Sequence, residues 1–544
     1  MVHCPSCGAG LRFEIETQQM YCDHCLGHFH PAELYDKLSD DAKTEKTFDS
    51  FVYVCPSCGG EIQTTDKNDA VGFCPYCGGA SMIYDKIRKE WKPDFLIPFQ
   101  VTKEQCKQLY CDEVKKHPFV SKKYRDAQLI ESFRGIYMPY CEMGGTLSGT
   151  VKLRADSHEQ NVGNYNYETR RYDVKGQAEF TVAGGASHDA SVAFDDHLSE
   201  RLEPFDKRRQ RKFAPGYLCG FYAEAGDIEA GDYAMLARED MKDALYTAMQ
   251  SDPEMKKALN SKDLRLKKHD PEEYLPVEVN VGRRMLYPVW FMSYRRGNKI
   301  TYATVNGQTG KVAADLPLSP LRILLAALGC AAVIFGLLFL ASQFLPSIPA
   351  RTTLGVSGLL GIIGMFVMQH SYINTVGTAL NTPDIVHKNL PLWFVLSSVA
   401  ALVGVVLMST DGSYEQDRFA LGAILTLVGT VVNLVQHFKQ RRLTKSIKQI
   451  ELNTRSMQTN GILAEAKRFN RINGIMRAVM YVSMLFSLLG SFAQTPNNTM
   501  LYTLAFIAGG ELIALALLHI RFQTTVAMRR LPQFNKKGAA YDEN

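Results

Sequence analysis

Three absences organise this 544-residue chain. The first 320 residues hold no long apolar run, and the N-terminus is polar and cysteine-rich, without the apolar stretch of a cleavable signal peptide. This part is therefore expected to stay in the cytosol. Residues 1 to 92 lack a basic excess: nine Lys plus Arg stand against fourteen Asp plus Glu, a formal −5. Nucleic-acid binders need a basic footprint to attract phosphates, so no nucleic-acid partner is expected for this region. A catalytic set is missing as well. GGTLSG (144 to 149) and AGGASH (183 to 188) are glycine-rich but carry no P-loop lysine and read as turns. No nucleophile sits near a recognisable base, and the chain is not expected to be an enzyme.

What is present is cysteine in a strict pattern. CPSCGAGLRFEIETQQMYCDHC, Cys4 to Cys25, and CPSCGGEIQTTDKNDAVGFCPYC, Cys55 to Cys77, each read C-x-x-C, a gap of fourteen or fifteen residues, then C-x-x-C. Two residues between cysteines make a tight knuckle, and two facing knuckles supply four thiolates to a tetrahedral ion. The expected ligands are Cys4, Cys7, Cys22 and Cys25 for one structural zinc, and Cys55, Cys58, Cys74 and Cys77 for another. Four cysteines leave no coordination position open to water or substrate, so these ions are not assigned catalysis. His3, His24 and His28 lie close by and read as surface groups or outer neighbours of the ligands. Reduced cytosol suits thiolates and thiols rather than disulfides.

Residues 93 to 320 balance their charge and read as a soluble α+β domain. TKEQ, Thr102 to Gln105, is a capping box that starts a helix running toward His117, with Pro118 to stop it. RGIYMPYCEMGGTLSGTVKL (134 to 153) and RRMLYPVWFMSYRRGNKITYATV (283 to 305) share an arginine, an aromatic-proline core and an extended continuation, a weak internal repeat that suggests two related halves. RRGNK and NGQTG read as hairpin turns. Residues 228 to 260 read as helical, with Met235, Leu236, Met241, Leu245 and Met249 toward a core. KRRQRK (207 to 212) reads as an exposed loop. His188, Asp189, Asp195, Asp196 and His197 read as a solvated loop rather than a metal site, and Cys106, Cys111, Cys141 and Cys219 have no knuckle partners.

After Pro320 the hydropathy changes. Apolar runs at 321–345, 353–369, 390–409, 419–438, 478–493 and 499–520 predict six transmembrane helices. Ten Lys or Arg between 439 and 477, and none in 409–417 or 494–499, place both termini in the cytoplasm by the positive-inside rule. The expected architecture is thus a multidomain membrane protein: zinc ribbon 1 (1–48), zinc ribbon 2 (49–92), a cytosolic α+β domain (93–320), four spans (321–438), a basic loop (439–477), two spans (478–520) and a tail (521–544). Leu443, Ile447, Ile450 and Met457 form an apolar seam in the basic loop, suited to lipid headgroups or a partner helix.

Two successive ribbons, FLIPFQVTKEQ, RGIYMPY and YPVWFMSYRRGNKITYATVNGQTGKVAADLPLS leading into an apolar run resemble the bacterial zinc-ribbon membrane proteins of the YdjG type, over roughly residues 1–345. The resemblance implies an adaptor or scaffold in envelope stress or membrane organisation, with membrane lipids, a phage shock protein A homologue and an SPFH-type protein as partners; self-association is compatible with it. Two alternatives stand beside this reading. A transporter or lipid-handling protein is suggested by the six runs, by Gly355, Gly358, Gly361 and Gly364, and by Glu511 in the last run. A tethered nucleic-acid binder is the other.

Overall fold

A computed structural model describes residues 3–326 apart from 37–46, 66–73, 81, 158–170, 192–195, 225, 227–233, 262–263 and 268–272. Beyond 326 it describes chiefly 392–407, 420–433, 520–524 and 528–530. The first cysteine module carries a three-stranded sheet of β1 (Arg12–Glu14), β2 (Gln19–Tyr21) and β3 (His28–Phe29), followed by helix α1 (Pro31–Asp36). All later strands join one thirteen-stranded sheet. These are β4 (Thr47–Val54), β5 (Glu61–Thr64), β6 (Ile83–Trp91), β7 (Phe95–Leu96), β8 (Arg134–Ser157), β9 (Arg171–Asp189), β10 (Arg211–Lys212), β11 (Tyr222–Ala223), β12 (Leu264–Lys267), β13 (Val277–Arg296), β14 (Lys299–Asn306), β15 (Val312–Ala314) and β16 (Arg529–Arg530). Its main path runs β10-β7-β13-β8-β11-β5-β4-β6, so the strands of the second cysteine module extend the sheet of the middle region.

The weak internal repeat becomes the centre of that sheet. β8 and β13 pair antiparallel about Met138↔Tyr287, and each strand's proline, Pro139 or Pro288, stands one residue beyond that pair. Proline donates no hydrogen bond, so it is poorly suited to a central strand. Here both carbonyls still accept, Pro139 from the Ala190 N–H and Pro288 from the Gly307 N–H, each at 2.8 Å. Alternation then divides the strands between two cores. Tyr137, Leu286, Trp290 and Met292 belong to one apolar cluster. Ile136, Met138, Tyr140, Met285, Tyr287, Val289 and Phe291 belong to the other.

The expected capped helix is present as Lys103–Lys115: the Thr102 side chain accepts from the Gln105 N–H and the Gln105 side chain accepts from the Thr102 N–H. It buries Cys106, Tyr110 and Val114 in the first cluster. RRGNK turns between β13 and β14 through Gly297 at φ +61°, and in NGQTG the Asn306 side chain accepts from the N–H groups of Gln308 and Thr309. Residues Ala234–Ser251 and Pro253–Ser261 are helical, with Met241 and Leu245 buried.

Several expectations need correction. GGTLSG and AGGASH are not turns but lie inside β8 and β9. Their glycines accompany irregular pairing: the register shifts between Met143 and Gly145, and again on β13 between Asn280 and Arg283. At that second shift a Cβ on Gly282 would lie 1.4 Å from the Glu142 carbonyl oxygen, so the close backbone approach requires glycine. His188 and Asp189 likewise end a strand, with Asp189 buried, rather than lying in a solvated loop. Asp195 and the side chains of Asp196 and His197 lie outside the described residues.

The largest correction concerns the expected bundle of six transmembrane helices and the multi-pass cell-membrane placement built on it. Among the described residues, no helix is long and apolar enough to cross a membrane. The run 390–409 yields the helix Leu392–Leu407, 16 residues long. At about 1.5 Å per residue this described part is about 24 Å long. The run 419–438 yields described helix at 420–433. Apolar composition registers hydropathy and not the length over which a helix is continuous, so the runs by themselves do not establish crossing helices. The two helices meet through small and polar groups: Thr426 Oγ1 donates to the Ala401 carbonyl at 3.5 Å, Asn433 donates to Ser398 Oγ at 3.2 Å, and Gly404 lies against Gly422 and Thr426. The runs 353–369, 478–493 and 499–520, and the basic loop, lie outside the described residues but for isolated positions; Glu511 lies outside them.

Candidate metal centres

Each C-x-x-C knuckle is built by the same two backbone bonds. Cys4 N–H donates to the Ala9 carbonyl and Gly8 N–H to the Cys4 carbonyl. The pairs Cys22 to Gly27 and Leu26 to Cys22, Cys55 to Gly60 and Gly59 to Cys55, and Cys74 to Gly79 and Gly78 to Cys74 repeat the pattern, all at 2.8–3.0 Å. Closing the turn puts the residue after the second cysteine in the left-handed region: Gly8 at φ +76°, Gly59 at +76°, Gly78 at +67° and Leu26 at +60°. Glycine adopts this conformation freely, and Leu26 does so against its Cβ.

The knuckles bring together the two predicted quartets, Cys4, Cys7, Cys22, Cys25 and Cys55, Cys58, Cys74, Cys77, with all sulfurs of a quartet within 4.8 Å of one another. Among the described residues these are the groups that could hold a metal ion, and His3, His24 and His28 join neither. Cross-knuckle sulfurs stand 3.5 Å apart for Cys4–Cys25, Cys7–Cys22 and Cys55–Cys77, and 3.6 Å for Cys58–Cys74. Four thiolates at about 2.3 Å around a tetrahedral ion would lie about 3.8 Å apart, so both quartets have the dimensions of a closed four-coordinate site.

Crowding four thiols splits their acidities. Burial pushes the Cys4 thiol up, but the N–H groups of Ser6 and Cys7, with the Cys25 thiol, outweigh it and bring Cys4 to about 6. The Cys74 thiol, followed by the N–H groups of Cys58 and Ser57, draws Cys55 to about 6 against burial. Cys74 itself is pushed far up by the thiols of Cys55, Cys58 and Cys77. One thiolate forms readily, the next is opposed by it, and a cation removes that opposition.

The quartets differ in what surrounds them. Cys4 and Cys22 are buried, while Cys7 and Cys25 are exposed; all four cysteines of the second quartet are buried. Cys4 and Cys22 share the cluster containing Tyr137 and Trp290, whereas the second quartet shares the cluster containing Met138, Tyr287 and Phe291. The two modules therefore cover opposite faces of the β8–β13 pair. Module 1 docks through Phe13, whose ring centroid is 5.2 Å from Tyr217, through Met20 beside Gly216, and through the Phe13 N–H donating to the Cys219 carbonyl at 3.0 Å. Gln18 adds a 2.7 Å bond to the Phe99 carbonyl. Module 2 is fixed by the Tyr302 hydroxyl donating to the Tyr76 carbonyl at 2.5 Å and by Tyr76 edge-on to Phe291.

The docking residues at 213–221 were missed in the sequence. Their one signal was APGYLCGFY, an apolar stretch that no periodicity assigned to an element. Cys106, Cys141 and Cys219 are buried singly, and burial pushes the Cys106 thiol up. KRRQRK forms a short 3-10 helix, Lys207–Arg209, and the strand β10; Lys207 ion-pairs at 3.0 Å with the buried Glu142.

No family model matches the chain, and no solved structure matches it. The chain is similar to a Bacillus subtilis (strain 168) protein, the uncharacterized protein YdjG, at 25% identity over 325 residues, which cover 58% of this chain and 89% of that protein.

Proposed function

We propose that this chain is an adaptor of the zinc-ribbon type, whose two structural zinc ions hold a β-sheet platform on which other proteins dock. Zinc suits the sites because four thiolates in tetrahedral array are a soft, closed set that excludes calcium and magnesium. The observation that carries the reading is that the apolar clusters on the two faces of one sheet take in Cys4 and Cys22 of the first quartet and all four cysteines of the second. A closed site contributes folding energy and rigidity instead of an open coordination position for chemistry. The ions thus act on shape, and the shape acts on partners. The candidates are the partners implied by the resemblance, a phage shock protein A homologue and an SPFH-type protein; no catalysis and no nucleic acid enter the reading.

The test begins with elemental analysis of the purified chain, expected to give two zinc ions. Binding of each purified candidate is then measured with the loaded and the metal-stripped chain. Association that requires zinc supports the adaptor. A metal other than zinc, or failure of both candidates to bind the loaded chain, overturns it.

A further inference from the structure

The two sulfur quartets offer an oxidant unequal access. Cys7 and Cys25 are exposed, and each faces a buried cysteine of the opposite knuckle across 3.5 Å: Cys7 faces Cys22, and Cys25 faces Cys4. Thiol sensors of oxidation are built in this way, with an accessible sulfur poised beside a second one that resolves it into a disulfide. In the second quartet the sulfurs stand as close, Cys55–Cys77 at 3.5 Å and Cys58–Cys74 at 3.6 Å, but all four cysteines are buried. One chain thus carries an accessible centre and its own protected counterpart.

What hangs on the first centre differs too. Phe13 and Met20, which dock module 1 on the platform, stand between Cys7 and Cys22 in the sequence, and both are buried. Cys4 and Cys22 belong to the same apolar cluster as Phe13, Met20, Tyr217 and Phe221. Between its knuckles the module has only β1 and β2 as regular structure, three residues each. A unit of that size has too little core to keep its shape alone, so its metal and its platform hold Phe13 and Met20 in place. Opening the quartet therefore loosens the docking contact.

We propose that centre 1 is a peroxide-sensitive clasp: oxidation of Cys7 or Cys25 by a hydroperoxide expels its zinc and releases module 1 from the sheet. The Cys7 thiolate sulfur attacks one oxygen of hydrogen peroxide, the O–O bond breaks, and the other oxygen leaves as hydroxide, giving a sulfenic acid. The Cys22 thiolate then attacks the Cys7 sulfur, displacing a second hydroxide and closing a Cys7–Cys22 disulfide. The two sulfurs give up two electrons, the peroxide takes them, and two protons from solvent turn the hydroxides into water. Cys25 and Cys4 react alike with a second peroxide. Either disulfide removes two of the four ligands of the ion, which leaves as Zn²⁺, and release of the module uncovers Tyr217 and Phe221. This clasp rests on the zinc reading proposed above and on none of the partners.

The test is titration of the full metal-loaded chain with hydrogen peroxide, with released zinc read by a metallochromic dye and unreduced peptides mapped by mass spectrometry. One zinc per chain is expected to leave at least tenfold faster than the other. Peptides linked through Cys7–Cys22 or Cys4–Cys25 should appear in step with it, and amide exchange should rise across residues 213–221. A thiol reductant with fresh zinc should reverse all three changes. Cys7→His/Cys25→His keeps four ligands but removes both exposed thiols, and its centre 1 is expected to release zinc at least tenfold more slowly than the native centre. Should that variant not load with metal, the peptide map of the native chain decides. A native chain that holds zinc at centre 1 through a large excess of peroxide, loses both ions at one rate, or links its peptides through other cysteines overturns the clasp and leaves the metal assignment standing. A chain without zinc at centre 1 overturns both.

Discussion

The two cysteine modules share a motif, a knuckle geometry and a sulfur spacing, yet they stand in different positions in the molecule. Module 1 has its own three-stranded sheet and lies on the platform through Phe13, Met20 and Gln18, with two of its four sulfurs at the surface. Module 2 has surrendered its strands to the platform, β4 and β5 continuing through β11 into β8, and all four sulfurs are buried. Identical local chemistry can therefore serve a detachable cover at one site and a keystone at the other. The difference lies in which hydrogen bonds the flanking strands make, and not in the ligands.

Breaking each centre in turn should expose that difference most strongly. Cys74→Ser is expected to collapse the sheet, since structural zinc contributes about 10–16 kcal/mol and a whole domain has only about 5–15 kcal/mol of net stability. Cys7→Ser should release module 1 alone. Limited proteolysis with metal analysis distinguishes the two: a resistant fragment spanning residues 47–326 is expected from Cys7→Ser and not from Cys74→Ser. Resistance of that fragment in both variants would show that β4 and β5 hold without their metal.

Metal exchange should rank the sites as well. With exposed Cys7 and Cys25, centre 1 is expected to lose its ion to a chelator at least tenfold faster than centre 2, read with a metallochromic dye as two phases of one ion each. Protons and metal compete for thiolates, so both ions are expected to be bound at neutral pH and lost as pH falls, with centre 1 emptying at the higher pH. A single phase in both experiments would mean that surface exposure does not control access.

Docking can be weakened without touching a ligand. Phe13→Ala removes a buried ring from the contact with Tyr217 and Phe221 and is expected to cost about 3–5 kcal/mol of docking. Amide exchange should rise across residues 3–36 and 213–221 while two ions per chain remain. Unchanged exchange would mean that Met20 and Gln18 suffice.

The smallest effect concerns the one knuckle without glycine at its left-handed position. Leu26 is 65% exposed and sits at φ +60°, so Leu26→Gly relieves backbone strain with little packing to lose. A gain of about 1 kcal/mol in module 1 is expected, measured as slower metal loss from centre 1 with no change at centre 2. Faster loss would show that the leucine side chain shields Cys25.

The sequence alone determined the features that close over a few residues. A C-x-x-C turn brings its own sulfurs together, a capping box satisfies its own helix end, and Gly297-Asn298 turns its own hairpin, because the bonded groups are neighbours along the chain. The eight cysteines were legible for that reason. The pairing of residues 134–147 with 277–291, inside the two stretches 134–153 and 283–305 or just beside them, was visible only as a likeness of wording, since nothing in either stretch states its register. Tertiary structure alone decided that the modules cover opposite faces, that Phe13 meets Tyr217, and that Arg530 comes to rest beside Lys299. Contacts across hundreds of residues depend on complementary shape and on loop closure, whose entropy changes only slowly with separation, so sequence distance leaves almost no mark of where the chain will meet itself.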